Sequence, residues 1–198
     1  MLSVLIDCSN VNLSIGLAKD HKVIAKKAYE AWQQQSELLV AELDKMFKAN
    51  KIDRKDISEV IVSKGPGSYT GVRIALSVAK VLSFALNVPL YLASSLEMMK
   101  DEDRPTICLV NARSKRSYVG VYEGEKEIVK DTIWDNTEVL KYIHDHPTYT
   151  VSGDLAYLSL EGKTIDVVDN LVNADVEKNL SKEPLAAKPV YLKDNYPV

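Results

Sequence analysis

The segment Lys64-Gly65-Pro66-Gly67-Ser68-Tyr69-Thr70-Gly71 lies between a β-branched run, Val60-Ile61-Val62, and a helical pattern that begins near Val72. A glycine loop at a strand-to-helix junction can turn backbone N–H groups and a helix N-terminus toward an anion. Gly65, Gly67, Ser68 and Thr70 are therefore the candidate contacts to an anion or nucleotide. The loop is not a Walker A motif, because no Gly-Lys-Ser/Thr follows the spacer, and Thr70 stands where a dinucleotide fingerprint has its third glycine. The same residues also have a purely architectural use. Gly65 and Gly67 admit positive φ, Pro66 stiffens the turn, and Gly71 lets helix and strand approach closely.

Asp7 ends the first apolar run in Asp7-Cys8-Ser9-Asn10, a place where a carboxylate often holds a metal. A haloacid-dehalogenase phosphatase would need a second aspartate at Ser9, so Ser9 and Asn10 read as turn caps. The three histidines are His21, His144 and His146. No His-Glu-x-x-His occurs, and the His144/His146 pair has no third ligand nearby, so solvated surface and no metal are expected. There is no Gly-x-Ser-x-Gly elbow for a serine hydrolase. Cys8 and Cys108 are far apart, which speaks against a disulfide framework or a zinc site. Arg113, Lys115 and Arg116 cluster beside Tyr118. That cluster reads first as a solvated loop and second as a minor RNA contact.

These groups sit in a chain of 198 residues with 25 basic and 28 acidic side chains, a formal charge of −3. The length suits one large domain or two small lobes, and 46% hydrophobic residues is globular usage. A mildly acidic chain has no bulk electrostatic pull on phosphate backbones. The N-terminal residues carry no basic stretch ahead of an apolar core, and no stretch approaches the roughly 20 apolar residues of a membrane span. A reduced, cytoplasmic protein without a membrane partner is the expectation.

The elements that must hold the candidate groups follow from periodicity. Leu2 to Cys8, Val11 to Leu17 and Lys22 to Tyr29 alternate with period two and are joined by polar turns, which predicts an antiparallel meander with half-buried faces. Ser36 to Ala49 places Leu39, Val40, Leu43, Met46 and Phe47 on one helical face. Val60–Val62 is a buried strand, Val72 to Leu86 a second helix, Val88 to Leu92 a strand, and Ser94 to Glu97 caps a short helix. The order β-β-β-α-β-α-β-α defines an α/β protein and argues against a doubly wound dinucleotide fold, in which a helix follows the first strand. Asp101-Glu102-Asp103-Arg104-Pro105 marks a lobe boundary, dividing the chain into 1–102 and 103–198. The second part opens with three more strands (Thr106–Val110, Tyr118–Tyr122, Glu127–Trp134), then a helix over Asn136–His144 and strands at Thr148–Ser152 and Thr164–Val168.

The helix after the glycine loop is too apolar for a sheet alone. Ile74, Val78, Val81 and Ala85 form one stripe, and Val72, Ala75, Leu76, Ala79, Leu82 and Leu86 another, while Arg73, Ser77, Lys80 and Asn87 form a thin polar strip. Either the Ser36–Ala49 helix covers the excess or the two helices together offer a platform to another protein. The two can hold together. Ala75, Ala79 and Ser83 add a small-residue spacing that lets helix backbones approach.

Several segments resemble one known family. Ile6-Asp7-Cys8-Ser9, Gln35-Ser36-Glu37-Leu38-Leu39, Gly65 through Arg73, and Pro89-Leu90 through Ser94-Ser95-Leu96-Glu97 are similar to the TsaB (YeaZ) family, with the Gly65–Arg73 segment the most specific. The second half matches more thinly, at Ala112-Arg113, Tyr118, Gly153-Asp154 and Pro189 through Lys193.

The resemblance implies an actin-like ATPase (ASKHA, ribonuclease H-like) fold of two lobes, the second reduced. It implies a non-catalytic scaffold that pairs with TsaD in forming the threonylcarbamoyl group at N6 of the adenosine beside the anticodon of tRNA. TsaE would join as a further partner, the isolated chain would form a homodimer, and tRNA would be met indirectly through the complex. No intrinsic cofactor is implied, and ATP or ADP would bind only at the complex interface. The partner-binding residues expected on this view are Ser36, Leu39, Leu43, Val72, Arg73, Ala75, Ala79 and Leu82. Gln35 stands where the family pattern usually has histidine and Asp7-Cys8-Ser9-Asn10 has no glycine, in keeping with a role without catalysis. Asn111 and Arg116 stand where the family commonly has acidic residues, so the family's function does not carry over to the second-lobe loop. The alternative is an autonomous ATPase or small-molecule kinase of the same fold.

Overall fold

The computed structural model describes residues 1–174 and 176–193. Strands β1 (Leu2–Asp7), β2 (Asn12–Lys19) and β3 (Lys22–Glu30) form the expected meander. β1 is then flanked on its other side by parallel β4 (Glu59–Ser63), and β4 by parallel β5 (Leu90–Ala93), giving the order β3-β2-β1-β4-β5. Helix α1 (Gln35–Ala49) leads into β4, and α2 (Tyr69–Leu86) connects β4 to β5. A second sheet repeats the plan at smaller scale. Here β6 (Thr106–Arg113), β7 (Arg116–Glu123) and β8 (Lys126–Asp135) form the meander, and β9 (Thr150–Gly153) runs parallel to β6 after helix α3 (Asn136–Asp145).

β2 shows how pattern and packing differ. Its alternation predicts one wet face, yet nearly the whole strand is buried. Leu13, Ile15 and Leu17 enter the core beneath α1 and α2 with Leu39, Leu43, Ala75, Leu76 and Ala79. The other face carries Ser14, Gly16 and Ala18 because a short helix, α4 (Val167–Leu171), lies on it. A Cβ at Gly16 would sit 2.4 Å from Val168 Cγ1. The alternation is large against small, not inside against outside.

α4 replaces the strand expected over Thr164–Val168. The Asp166 side chain accepts the Val168 N–H and caps a helix start, and the turn it launches buries Val168 and Leu171 against Leu5 and Ile61. A helix cap plus burial on the far side of the sheet outweighs the β preference of two adjacent valines. From here the chain remains with the first sheet. Ser181 N donates to Leu90 O, and Val190 N donates to Lys64 O at 2.8 Å. The described residues between 166 and 193 thus pack largely on the first sheet, across the boundary drawn at 101–105.

By length and composition alone α2 could cross a membrane, but Val72, Ala75, Leu76 and Ala79 on it are core residues.

Candidate functional site

The glycine loop is pinned by the end of β1. Ser68 N donates to Ser9 O at 2.6 Å, and the Ser68 side chain caps α2 by accepting the Gly71 N–H. A Cβ at Gly67 would lie 2.2 Å from Ser9 O, and one at Gly71 would lie 2.0 Å from Cys8 O. The glycines therefore let α2 and its loop rest directly on the β1–β2 turn. Gly65, with φ +99°, faces Val190 O, and its N–H is taken by Ser95 Oγ at 3.0 Å. Of the four expected anion contacts, Gly65 is thus spent on the protein itself. Gly67, Ser68 and Thr70 line a cleft of about 220 Å³ between the two sheets, facing Asn111, Ala112, Arg113, Tyr118 and Asp154.

Gln35 locks the same corner. Its Nε2 donates to Asn10 O at 2.9 Å and Asn12 O at 2.8 Å, and its Oε1 sits against Gly71. The residue that departs from the family pattern ties the start of α1 to the β1–β2 turn.

Asp7 is fully buried, with one carboxylate oxygen accepting the Ser9 N–H at 3.3 Å. Its Oδ2 and the hydroxyls of Ser9 and Ser63 are buried without a hydrogen-bond partner. Burial pushes the Asp7 carboxyl above its usual range; nearby Ser63 and Ser9 pull the other way without closing a bond to Oδ2. A carboxyl raised in this way contributes fully below its unfolded pKa of about 3.9, and that contribution is lost as pH rises through the folded-state value. Stability to urea is expected to decline across that window. Asp7→Asn, which supplies an amide donor to the orphaned hydroxyls, should flatten the decline and exceed the parent at alkaline pH. A parental pH profile in this variant would mean that the carboxyl stays ionised.

His21 and His144 are exposed, and His146 stacks on Tyr142 with ring centroids 4.0 Å apart. Among the described residues no group of three or more His, Cys, Asp or Glu side chains could hold a metal.

The expected helical platform is corrected residue by residue. Leu39, Leu43, Val72, Ala75 and Ala79 are buried within the chain itself and offer almost no contact surface, with Leu43 alone of them reaching the groove described below. The small-residue stripe of α2 faces the sheet, where it permits close packing on β1 and β4. Ser36 and Arg73 are exposed and Leu82 is half-buried. The outward apolar residues are Val40 at 59%, Val81 at 65% and Phe84 at 68% exposure. Val40, Val78, Val81 and Leu82 line a groove of about 810 Å³ between α1 and α2. α1 therefore covers part of the excess and leaves part uncovered. Phe84 belongs to neither stripe read from the sequence; its position beyond Val81 on an already oversupplied helix was the available signal.

Two sheets, each a three-stranded meander extended by parallel strands, two in the first and one in the second, define an actin-like ATPase fold of the ASKHA class. YeaZ from Pseudomonas aeruginosa has the same fold, with a TM-score of 0.78 at 18% identity, covering 96% of this chain and 99% of that one. The model of the family described as TsaD: tRNA N6-adenosine threonylcarbamoyltransferase matches residues 27–189, and the chain belongs to that family, in its TsaB (YeaZ) branch. The tRNA threonylcarbamoyladenosine biosynthesis protein TsaB of Bacillus subtilis (strain 168) is 31% identical over 144 residues, 71% of this chain and 63% of the relative. An uncharacterized protein, MG208, of Mycoplasma genitalium is 28% identical over 196 residues, 96% of this chain and 93% of its own. The chain spans about three-fifths of the length of the curated TsaB relatives it matches.

Proposed function

We propose that this protein acts in threonylcarbamoylation of N6 of the adenosine beside the anticodon of tRNA, as a non-catalytic subunit that pairs with a TsaD-type enzyme. The observation that carries the pairing is the uncovered apolar face of α1 and α2, with Val40, Val81 and Phe84 each more than half exposed. Exposed aliphatic and aromatic side chains around a groove are what a partner's helices can bury. A TsaE-type protein joins the pair, the isolated chain dimerises through an overlapping face, and the assembly is cytoplasmic. The chain carries no cofactor of its own, and ATP or ADP binds only where the subunits meet. Against an autonomous ATPase or kinase stands the complete burial of Asp7 beneath the β1–β2 turn.

Val81→Glu and Phe84→Glu are expected to weaken pairing with the TsaD-type partner at least about thirtyfold, about 2 kcal/mol. Both sites are exposed, so stability should stay within about 0.5 kcal/mol of the parent. Affinity is read by titration calorimetry, and tRNA modification in a reconstituted system should fall with it. Parental affinity in both variants would remove this face from the interaction.

A further inference from the structure

Some of the cations on this protein are held in ion pairs among the described residues. Lys26 pairs with Asp166 and Asp169, Lys27 and Lys45 with Glu42, Lys48 and Arg54 with Asp44, Lys163 with Asp101, and Lys178 with Glu97. Around the mouth of the interlobe cleft, cations lie against aromatic rings and a backbone carbonyl. Among the described residues, Arg73, Arg113, Lys115 and Lys193 take part in no ion pair. Ring contacts and hydrogen bonds connect this region instead. Arg73 lies 4.0 Å over the Tyr69 ring and donates to Tyr191 Oη at 2.5 Å, and the Tyr69 and Tyr191 rings are 5.1 Å apart. Lys193 Nζ donates to Ala112 O at 2.9 Å, beside Arg113. Tyr69, Trp32 and Arg113 line the same cleft, with the Arg113 guanidinium 5.6 Å from the Trp32 ring centre. Among the described residues lining it, Asp154 is the one acidic side chain.

In a chain with a formal charge of −3, Arg73 and Arg113 thus lie over aromatic rings at this cleft, Lys193 reaches the backbone beside Arg113, and one of the rings, Trp32, is 42% exposed. Guanidinium groups and ammonium groups neutralise phosphates, and exposed rings accept unstacked bases. A duplex offers no free base faces to such rings, whereas a loop does. We propose that this face binds single-stranded RNA directly, with Arg73, Arg113, Lys115 and Lys193 on phosphates and Trp32 against a base. The surface is argued from its own geometry; that the RNA is the anticodon loop of a tRNA rests on the function proposed above.

The test titrates the full chain into a fluorescently labelled anticodon stem–loop RNA, read by anisotropy over a salt series. Binding should weaken as salt rises. Arg113→Gln with Lys115→Gln should weaken it at least about tenfold and lower the log–log salt slope by about 0.7 for each phosphate no longer neutralised. Trp32→Phe should abolish the quenching of tryptophan emission on RNA addition. Lys126→Gln on the edge strand β8 should bind as the parent does. The inference is overturned if the parent fails to bind at low salt, if the Arg113/Lys115 variant binds normally, or if polyglutamate competes as well as RNA. Absent RNA binding with intact pairing to the TsaD-type partner would sink this inference alone, whereas failed pairing would sink the functional reading and leave the titration standing.

Discussion

Ala79→Glu is expected to unfold the protein and not merely to detach a partner. Ala79 is fully enclosed with Leu39, Leu76, Val60 and Val62, where α2 rests on the first sheet. A glutamate there adds a methylene and a carboxyl to a filled space. An uncompensated buried charge costs about 3–5 kcal/mol, and overpacking adds about 1–3. The sum rivals the whole stability of an ordinary domain, about 5–15 kcal/mol. Circular dichroism and urea unfolding should show little folded protein at ambient temperature, and pairing would be lost as a consequence. Val81→Glu, two residues along the same helix, should stay folded. A cooperative, near-parental melt for Ala79→Glu would mean that α2 is turned relative to its position here.

Gly71→Val carries the second large effect. The branch would begin at a Cβ 2.0 Å from Cys8 O, where ordinary contact starts near 3.4 Å, so the first turn of α2 must retreat by about 1.4 Å from the end of β1. That movement breaks the Gly71–Ser68 cap and strains the Ser68–Ser9 backbone bond that seat the loop. A loss of about 3 kcal/mol or more is expected in urea unfolding. Gly124→Ala is the matched control. Its backbone has positive φ, +56°, yet nothing lies within 4 Å of a Cβ there. It should lose only about 1 kcal/mol, the left-handed penalty by itself. Equal losses at the two sites would mean that close approach to Cys8 is not what requires glycine at position 71.

The cleft and the helical face were legible to different depths. Gly67 and Gly71 stood out because glycine before a helical pattern is informative wherever two backbones meet. Their partner carbonyls, Cys8 and Ser9, lie roughly sixty residues earlier, and no local pattern connects them. Gln35 looked like a departure from a family pattern; its two bonds to the β1–β2 turn exist only after the chain has folded back on itself. The basic cluster at Arg113 and Lys115 read as solvated loop because sequence charge says nothing about pairing. Its proximity to Arg73 and Lys193 comes from a C-terminal segment laid across the glycine loop.

The sequence by itself determined the meander, the two long helices, the glycine junction and the excess of apolar surface on α2. These depend on periodicities of two and 3.6 residues, which are set within a single element. Tertiary structure decided which stripe of α2 points outward, made a helix of Val167–Leu171, buried Leu39, Leu43, Val72, Ala75 and Ala79, and left Val40, Val81 and Phe84 in solvent. Periodicity fixes the angle between side chains around one axis. Only the neighbour packed against that axis decides which angle is inside.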